Sequence, residues 1–324
     1  MTSHLRTIVA GIATLEPDDP ALAASIHLAE RTGAELHLVH VYPVEEAEEE
    51  WNLEVPLPAM SRPAILPALL QSRLAGYVRA LSGSDRVESV VLAGTPGAVL
   101  SGYARVVGAD LLVLAPTRRA GAAGAVLGTT ASRVLRTASV PVLVLREGLA
   151  DRPARRILLP TDLSEHSARA VPLAHELAAA LAAPEEPVLL PLFVEVPEVD
   201  TDARAVVATQ IDQAEADLAV FLASILGAAP TAGTVRVGSP AHEILGVARH
   251  WDADLVVLGT HGRRGLPRFF LGSVAETVLR KAPCSALVIP PAAVRAHLPE
   301  PTVRIAEPWS STADLEPRRL VPRL

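Results

Sequence analysis

Apolar residues recur along this chain in two rhythms, one suited to buried strands and one to amphipathic helices. The clearest example is the second half. Ile157 to Thr161 (ILLPT) is a short, β-rich run. SEHSARAVPLAHELAAALAA then reads as a helix, with Ser164 placed to cap its start. VLLPLFVE, from Val188, is a continuous apolar strand, although Pro191 argues against a central one. Val207, Ile211, Ala214, Leu218, Phe221 and Ile225 mark one face of a long helix. TVRVG, PAHEILGVARHW, DLVVLGT, SVAETVLRK and SALVIP complete an order βαβαβαβαβ. Strands that are apolar without alternation belong to a sheet covered on both faces, hence parallel. Right-handed crossovers then predict a doubly wound α/β sandwich.

The first half repeats this plan. Residues 94–145 align with 238–289 without a gap, and 21 of the 52 positions are identical. Ala109-Asp110-Leu111 recurs as Ala253-Asp254-Leu255, and Val134-Leu135-Arg136 as Val278-Leu279-Arg280. Earlier stretches correspond more loosely: RTIVAGIA with RRILLPTD, and LHLVHVY with LLPLFVE. Two copies of one unit follow, about 1–147 and 153–290, divided near the polar REGLADRPARR. A proline- and arginine-rich stretch, 291–324, has no sustained periodicity and is expected to be mobile or draped. The first copy has a longer middle connection, holding EEAEEE and PLPAMSRP, which reads as a solvated loop. Leu70, Leu74, Tyr77 and Leu81 then resume a helical face.

Composition narrows the picture. At 324 residues, half of them hydrophobic, the chain has room for two globular domains. The formal charge of −7 argues against a nucleic-acid partner. No run reaches the roughly 20 apolar residues that span a bilayer. IVAGIATL, from Ile8, has the length of a short signal core, but its counterpart in the second copy favours a strand, so a cytoplasmic location is expected. Cys284, the only cysteine, excludes a disulfide framework and sits in an apolar run, as a buried inert thiol would.

Candidate chemistry concentrates in GTHGRRGLPRFFLGS, 259–273, between a strand and a helix. In an open parallel sheet, ligands bind at the carboxyl ends of strands where the order reverses. Glycines there allow close backbone approach, and consecutive amides with a helix N-terminus favour phosphate. Ser273 reads as the N-cap of that helix, with Glu276 completing a capping box. Neither a Walker loop nor G-x-G-x-x-G is present.

The spacing Gly259-x2-Gly262-x9-Gly272-Ser273, in this strand and helix order, resembles the universal stress protein family, in its ATP-binding branch. The resemblance covers both copies, about 1–290, and leaves the tail unmatched. It implies two tandem Rossmann-like, five-stranded parallel sheets packed as an internal pseudo-dimer through their last strands, SVPVLVL and CSALVIP. It also implies ATP, with or without magnesium, as cofactor, and an unidentified protein partner. Asp162 in LLPTDLSEHS matches the family's aspartate after the first strand, and Val194 the valine ending the second. Pro160 and Thr161 should line the same wall. By resemblance Gly259, His261, Gly262, Arg263, Gly272, Ser273 and Val274 surround ribose and phosphates.

These roles are chemically reasonable. Asp162 can accept from ribose hydroxyls or an adenine amine, amides and the Ser273 hydroxyl can donate to phosphate, and Arg263 can add charge. Plainer alternatives stay open. Asp162 equally suits initiating the next helix, Ser273 and Glu276 suit simple capping, and His261 suits a solvated loop.

The first copy departs from the pattern. Ala115 stands for Gly259, Arg118 for Gly262 and Ala13 for Asp162, so a single nucleotide site, in the second copy, is expected. Further association of two whole chains is left open. His37 and His40 lie three apart on a strand, on opposite faces, and do not chelate together. No G-x-S-x-G elbow or zinc signature occurs, so dedicated catalysis has no support in the sequence. A regulatory ATP-binding protein is the leading expectation. A nucleotide-free scaffold and a slow adenine-nucleotide hydrolase are the alternatives.

Overall fold

A computed structural model describes residues 5–43, 62–82, 84–115, 128–146, 153–182, 187–196, 204–226, 233–259, 271–291 and 293. The first half runs β1 (Thr7–Ile12), α1 (Pro20–Thr32), β2 (Glu35–Tyr42), α2 (Arg62–Leu81), β3 (Val87–Ala93), α3 (Pro96–Val106), β4 (Leu111–Leu114), α4 (Thr129–Thr137) and β5 (Val142–Val144). The second runs β6 (Arg156–Thr161), α5 (Glu165–Ala182), β7 (Val188–Glu195), α6 (Arg204–Leu226), β8 (Thr234–Val237), α7 (Pro240–His250), β9 (Leu255–Gly259), α8 (Ser273–Lys281) and β10 (Ser285–Ile289). Within each half every strand pair is parallel, as the unbroken apolar runs require.

The two five-stranded sheets join into one, with the order β3-β2-β1-β4-β5-β10-β9-β6-β7-β8. The seam is an antiparallel pairing of β5 with β10, as expected for the last strands. Leu143 lies opposite Leu287, its own counterpart in the repeat, and the flanking pairs are Val142 with Val288 and Val144 with Ala286. A local two-fold axis therefore passes through the Leu143 and Leu287 pair. This pairing covers the edge that each half alone would expose. Arg146 adds an asymmetric clasp. Its backbone N–H donates to Ser285 Oγ at 2.9 Å, and its guanidinium donates to the Leu279 carbonyl at 2.7 Å at the end of α8.

Each face of the sheet carries one apolar layer that crosses the seam. One contains Leu22, Ile26, Leu70 and Leu74 from the first half with Leu173, Leu177 and Leu218 from the second. The other contains Leu100, Val134 and Leu135 with Ile244, Leu245, Val278 and Leu279. The face expected for α2 is confirmed at Leu70 and Leu74, whereas Leu81, the last residue of the helix, is exposed. Pro191 does sit in a strand. It lies opposite Leu159 on β6, and β8 joins β7 only from Leu192 onward, so the proline falls where one neighbour is missing.

The repeated Ala-Asp-Leu has a clear task. Asp110 Oδ2 accepts the backbone N–H groups of Arg6 and Thr7, and Asp254 Oδ2 those of Arg155 and Arg156. Each carboxylate ties the start of the first strand of its half to the fourth. The same bonds fix the register between halves: Thr7 corresponds to Arg156, and hence Ala13 to Asp162.

The first five residues of IVAGIATL lie in the buried strand β1. Among the described residues no helix is long and apolar enough to cross a membrane. Cys284 is buried, and burial pushes its thiol up to about 12. We expect it to resist thiol reagents in the folded chain at pH 8 and to react only as fast as the protein opens, which a labelling time course with and without denaturant checks.

Candidate functional site

In the second half the strand order reverses between β6 and β9, so the topological switch point lies at their carboxyl ends. The two strands pair at Ile157 with Leu255 and at Leu158 with Val256, and no further. Beyond that point β6 follows β7, up to Thr161 opposite Phe193, while β9 follows β10, up to Gly259 opposite Ile289. The ladder therefore ends before Pro160, Thr161 and Asp162 come level with Gly259. Proline accounts for this, because it brings no N–H to continue a ladder.

The first half is an internal control. There β1 and β4 stay paired for four residues, through Gly11 opposite Leu114. Gly11 stands where Pro160 stands in the second half. A Cβ on Gly11 would lie 2.9 Å from the Leu100 side chain and 3.0 Å from that of Leu114, so the rim is filled. Asp19 closes what remains. Its Oδ2 accepts the backbone N–H groups of Ala13 and Thr14 at 3.1 and 2.9 Å, and its Oδ1 caps α1 at Ala21. Beside it, buried His40 hydrogen-bonds the Ile12 carbonyl through Nδ1, and burial holds its pKa below the ordinary histidine value. One rim is thus closed by its own side chains, while at the corresponding rim the strand ladder ends two residues earlier.

At this second rim the chain turns sharply from β6 into α5. Thr161 Oγ1 accepts the Leu163 N–H at 3.1 Å, and Asp162 Oδ1 accepts the Ser164 N–H at 3.1 Å. Leu163 takes a positive φ of 60°, costly for a branched side chain and held here by the bonds on either side. Ser164 caps α5 as expected, its hydroxyl accepting the Ser167 N–H at 3.2 Å. The Ser167 hydroxyl in turn donates to Asp162 Oδ1. Asp162 therefore does initiate the helix, and the same bonds fix its carboxylate, half-buried, at the rim.

The remaining expected residues divide into three groups. Gly259 is exposed at the end of β9, and Val194 is buried, its side chain packed into the α7 and α8 layer. Gly272, Ser273 and Val274 lie at the entrance of α8. His261, Gly262 and Arg263 fall outside the described residues, as does Arg118 of the first half.

One expectation needs correcting at α8. Gly272, not Ser273, is the N-cap, because its carbonyl accepts the Glu276 N–H at 2.9 Å. Ser273 is the first helical residue and exposed, and no capping box forms: Glu276 instead takes a 2.8 Å bond from Arg280, one turn on. The first half starts α4 identically, from Gly128. The shift leaves the Ser273 hydroxyl at a helix N-terminus without a capping task. Sequence reasoning missed the strained Leu163, the Ser167 hydroxyl and the effect of Pro160 on pairing. Only the proline left a readable signal.

A model of the universal stress protein family matches residues 4–146 and again 153–290. A universal stress protein of Synechocystis is 49% identical over 55 residues, which cover 17% of this chain and 36% of that protein. One of Methanocaldococcus jannaschii is 52% identical over 52 residues, covering 16% and 31%. The matched stretches thus span about a third of these relatives. Among solved structures, a functionally unknown protein of Pseudomonas aeruginosa PAO1 is 20% identical and covers 91% of this chain and 96% of its own, with TM-score 0.63. A universal stress protein of Archaeoglobus fulgidus is 17% identical, covers 86% and 95%, and has TM-score 0.55. Such identities speak for the fold alone. The family match, made twice at the repeated unit, carries more: this chain belongs to the universal stress protein family.

Proposed function

We propose that the second half binds one adenine nucleotide, ATP, at the crevice between the ends of β6 and β9, and that the first half acts as its structural partner. The observation that carries this reading is the contrast between the two rims: the ladder of β6 and β9 stops at Leu158, short of Pro160 and Asp162, whereas β1 and β4 stay paired to Gly11, where the Leu100 and Leu114 side chains close in. Chemistry supports it. Asp162 stands at the rim with a fixed carboxylate suited to ribose hydroxyls, and the α8 N-terminus with the Ser273 hydroxyl suits phosphate. Gly259, His261, Gly262 and Arg263 would supply the remaining amides and charge, and magnesium would accompany the phosphates. Occupancy would engage residues 259–273 and so bias contacts with a protein partner, with the cytoplasmic nucleotide pool as the signal.

Titrating ATP, AMP and cyclic AMP into the full chain by calorimetry tests the site. We expect one ATP per chain, together with slower hydrogen exchange in 259–273. Two equivalents, or no binding at millimolar nucleotide, would overturn the reading. A scaffold role draws on the capping bonds of Asp162, which need no ligand, and the no-binding outcome is the one that favours it.

A further inference from the structure

At the opposite end of the first half, near the amino ends of its strands, three side chains converge that the nucleotide reading does not use. Glu35 and His37 are two apart on β2 and so share a face. Glu88 on β3 lies directly opposite His37 in the ladder. One ligand atom from each residue lies within 4.8 Å of the others. The His37 side chain is nine-tenths buried, at 9% exposure, while those of Glu35 and Glu88 are 58% and 60% exposed.

The two ring nitrogens are served unequally by protein groups. Nδ1 lies 2.9 Å from the Tyr103 hydroxyl on α3 and 3.3 Å from Glu88 Oε2. Nε2 has Glu35 Oε1 at 3.6 Å, beyond hydrogen-bond distance. With Nδ1–H donating to the Tyr103 hydroxyl, the Nε2 lone pair faces the Glu35 carboxylate, with that of Glu88 alongside the ring. A cation held between Nε2 and the two carboxylates removes that repulsion.

The repeat again provides the control. The corresponding positions of the second half hold Val188, Leu190, Ala232 and Val247, in place of Glu35, His37, Glu88 and Tyr103. All four polar groups are particular to one half, and together they supply one imidazole, two carboxylates and a hydroxyl that orients the imidazole.

We propose that Glu35, His37 and Glu88 bind a divalent transition-metal ion, zinc being the best match to one imidazole and two carboxylates. His37 ligates through Nε2, its Nδ1–H donates to the Tyr103 hydroxyl, and solvent completes the shell. Metal bonds of about 2.0–2.2 Å require the ligand atoms to close in and Glu88 to swing from beside Nδ1 toward Nε2, which the exposed glutamates permit by rotation. The ion clamps the sheet's edge strand β3 to β2, on the face that α3 covers. The inference is independent of the nucleotide site, which lies at the other end of the strands.

The test uses the full chain, stripped with a chelator and titrated with zinc, with cobalt as the spectroscopic probe. Wild type should bind one equivalent, show the visible bands of low-coordinate cobalt, and gain in melting temperature. The double variant Glu35→Gln with Glu88→Gln should lose at least about 100-fold in affinity and show no such bands, while its metal-free melting temperature stays at the wild-type value or above. Tyr103→Phe should weaken binding about 10–100-fold. Zinc bound with wild-type affinity by the double variant would overturn the proposal. So would a wild-type chain that binds none at a 100-fold molar excess of metal over protein.

Discussion

Leu143→Asp should destabilise the whole chain by at least about 3–5 kcal/mol, a large share of the roughly 5–15 kcal/mol that keeps an ordinary domain folded. Leu143 is 1% exposed and faces Leu287, which is fully buried, at the centre of the seam. Aspartate there removes a packed side chain and places an unpaired charge in an apolar layer, and both changes act in the same direction. Because both helical layers cross the seam, the loss should appear as one shifted transition for both halves, not as the melting of one. Urea denaturation followed by circular dichroism measures it. Val106→Asp, at a site 81% exposed, serves as the control and should change stability by no more than about 0.5 kcal/mol. A seam variant as stable as this control would mean that the halves do not depend on β5 and β10.

That seam was legible in the sequence because its signal is strong and local. SVPVLVL and CSALVIP are apolar throughout and occupy equivalent places in a gapless repeat, so each needs a covering strand and its twin is the nearest candidate. The element order was legible for the same reason. What escaped depends on comparing two strand pairs in space. Pro160 was a readable sign of an interrupted ladder, but Gly11 looks unremarkable in a strand, and only the register reveals that Gly11 lets Leu100 and Leu114 close in at the position where the β6 and β9 ladder has ended. The helix start at Ser273 was misplaced by a single residue because serine is a favoured cap, yet a glycine with extended backbone serves equally well and Glu276 has Arg280 one turn on. The cluster at His37 was missed because its members come from β2, β3 and α3. The period of two linking Glu35 to His37 was readable, but the partner strand and its register were not.

Asp162→Ala should weaken ATP binding by about 10–100-fold, the loss expected when a hydrogen bond to a charged acceptor worth about 1.5–3 kcal/mol is removed. The same substitution removes the acceptor for the Ser164 N–H and the Ser167 hydroxyl, so it should also cost about 1 kcal/mol of stability. Those two effects need separating, because a loosened turn could weaken binding without any contact to the nucleotide. Ser164→Ala separates them. It deletes the hydroxyl that caps α5 at Ser167, costs about the same stability, and leaves the Asp162 carboxylate in place. Calorimetric titration of both variants, at a temperature where each is folded, should show the affinity loss for Asp162→Ala alone, with Ser164→Ala within about twofold of wild type. Equal losses in both would assign the effect to the turn. Wild-type affinity in Asp162→Ala would remove the carboxylate from the site altogether, and with it the main chemical distinction between this rim and the one at Ala13.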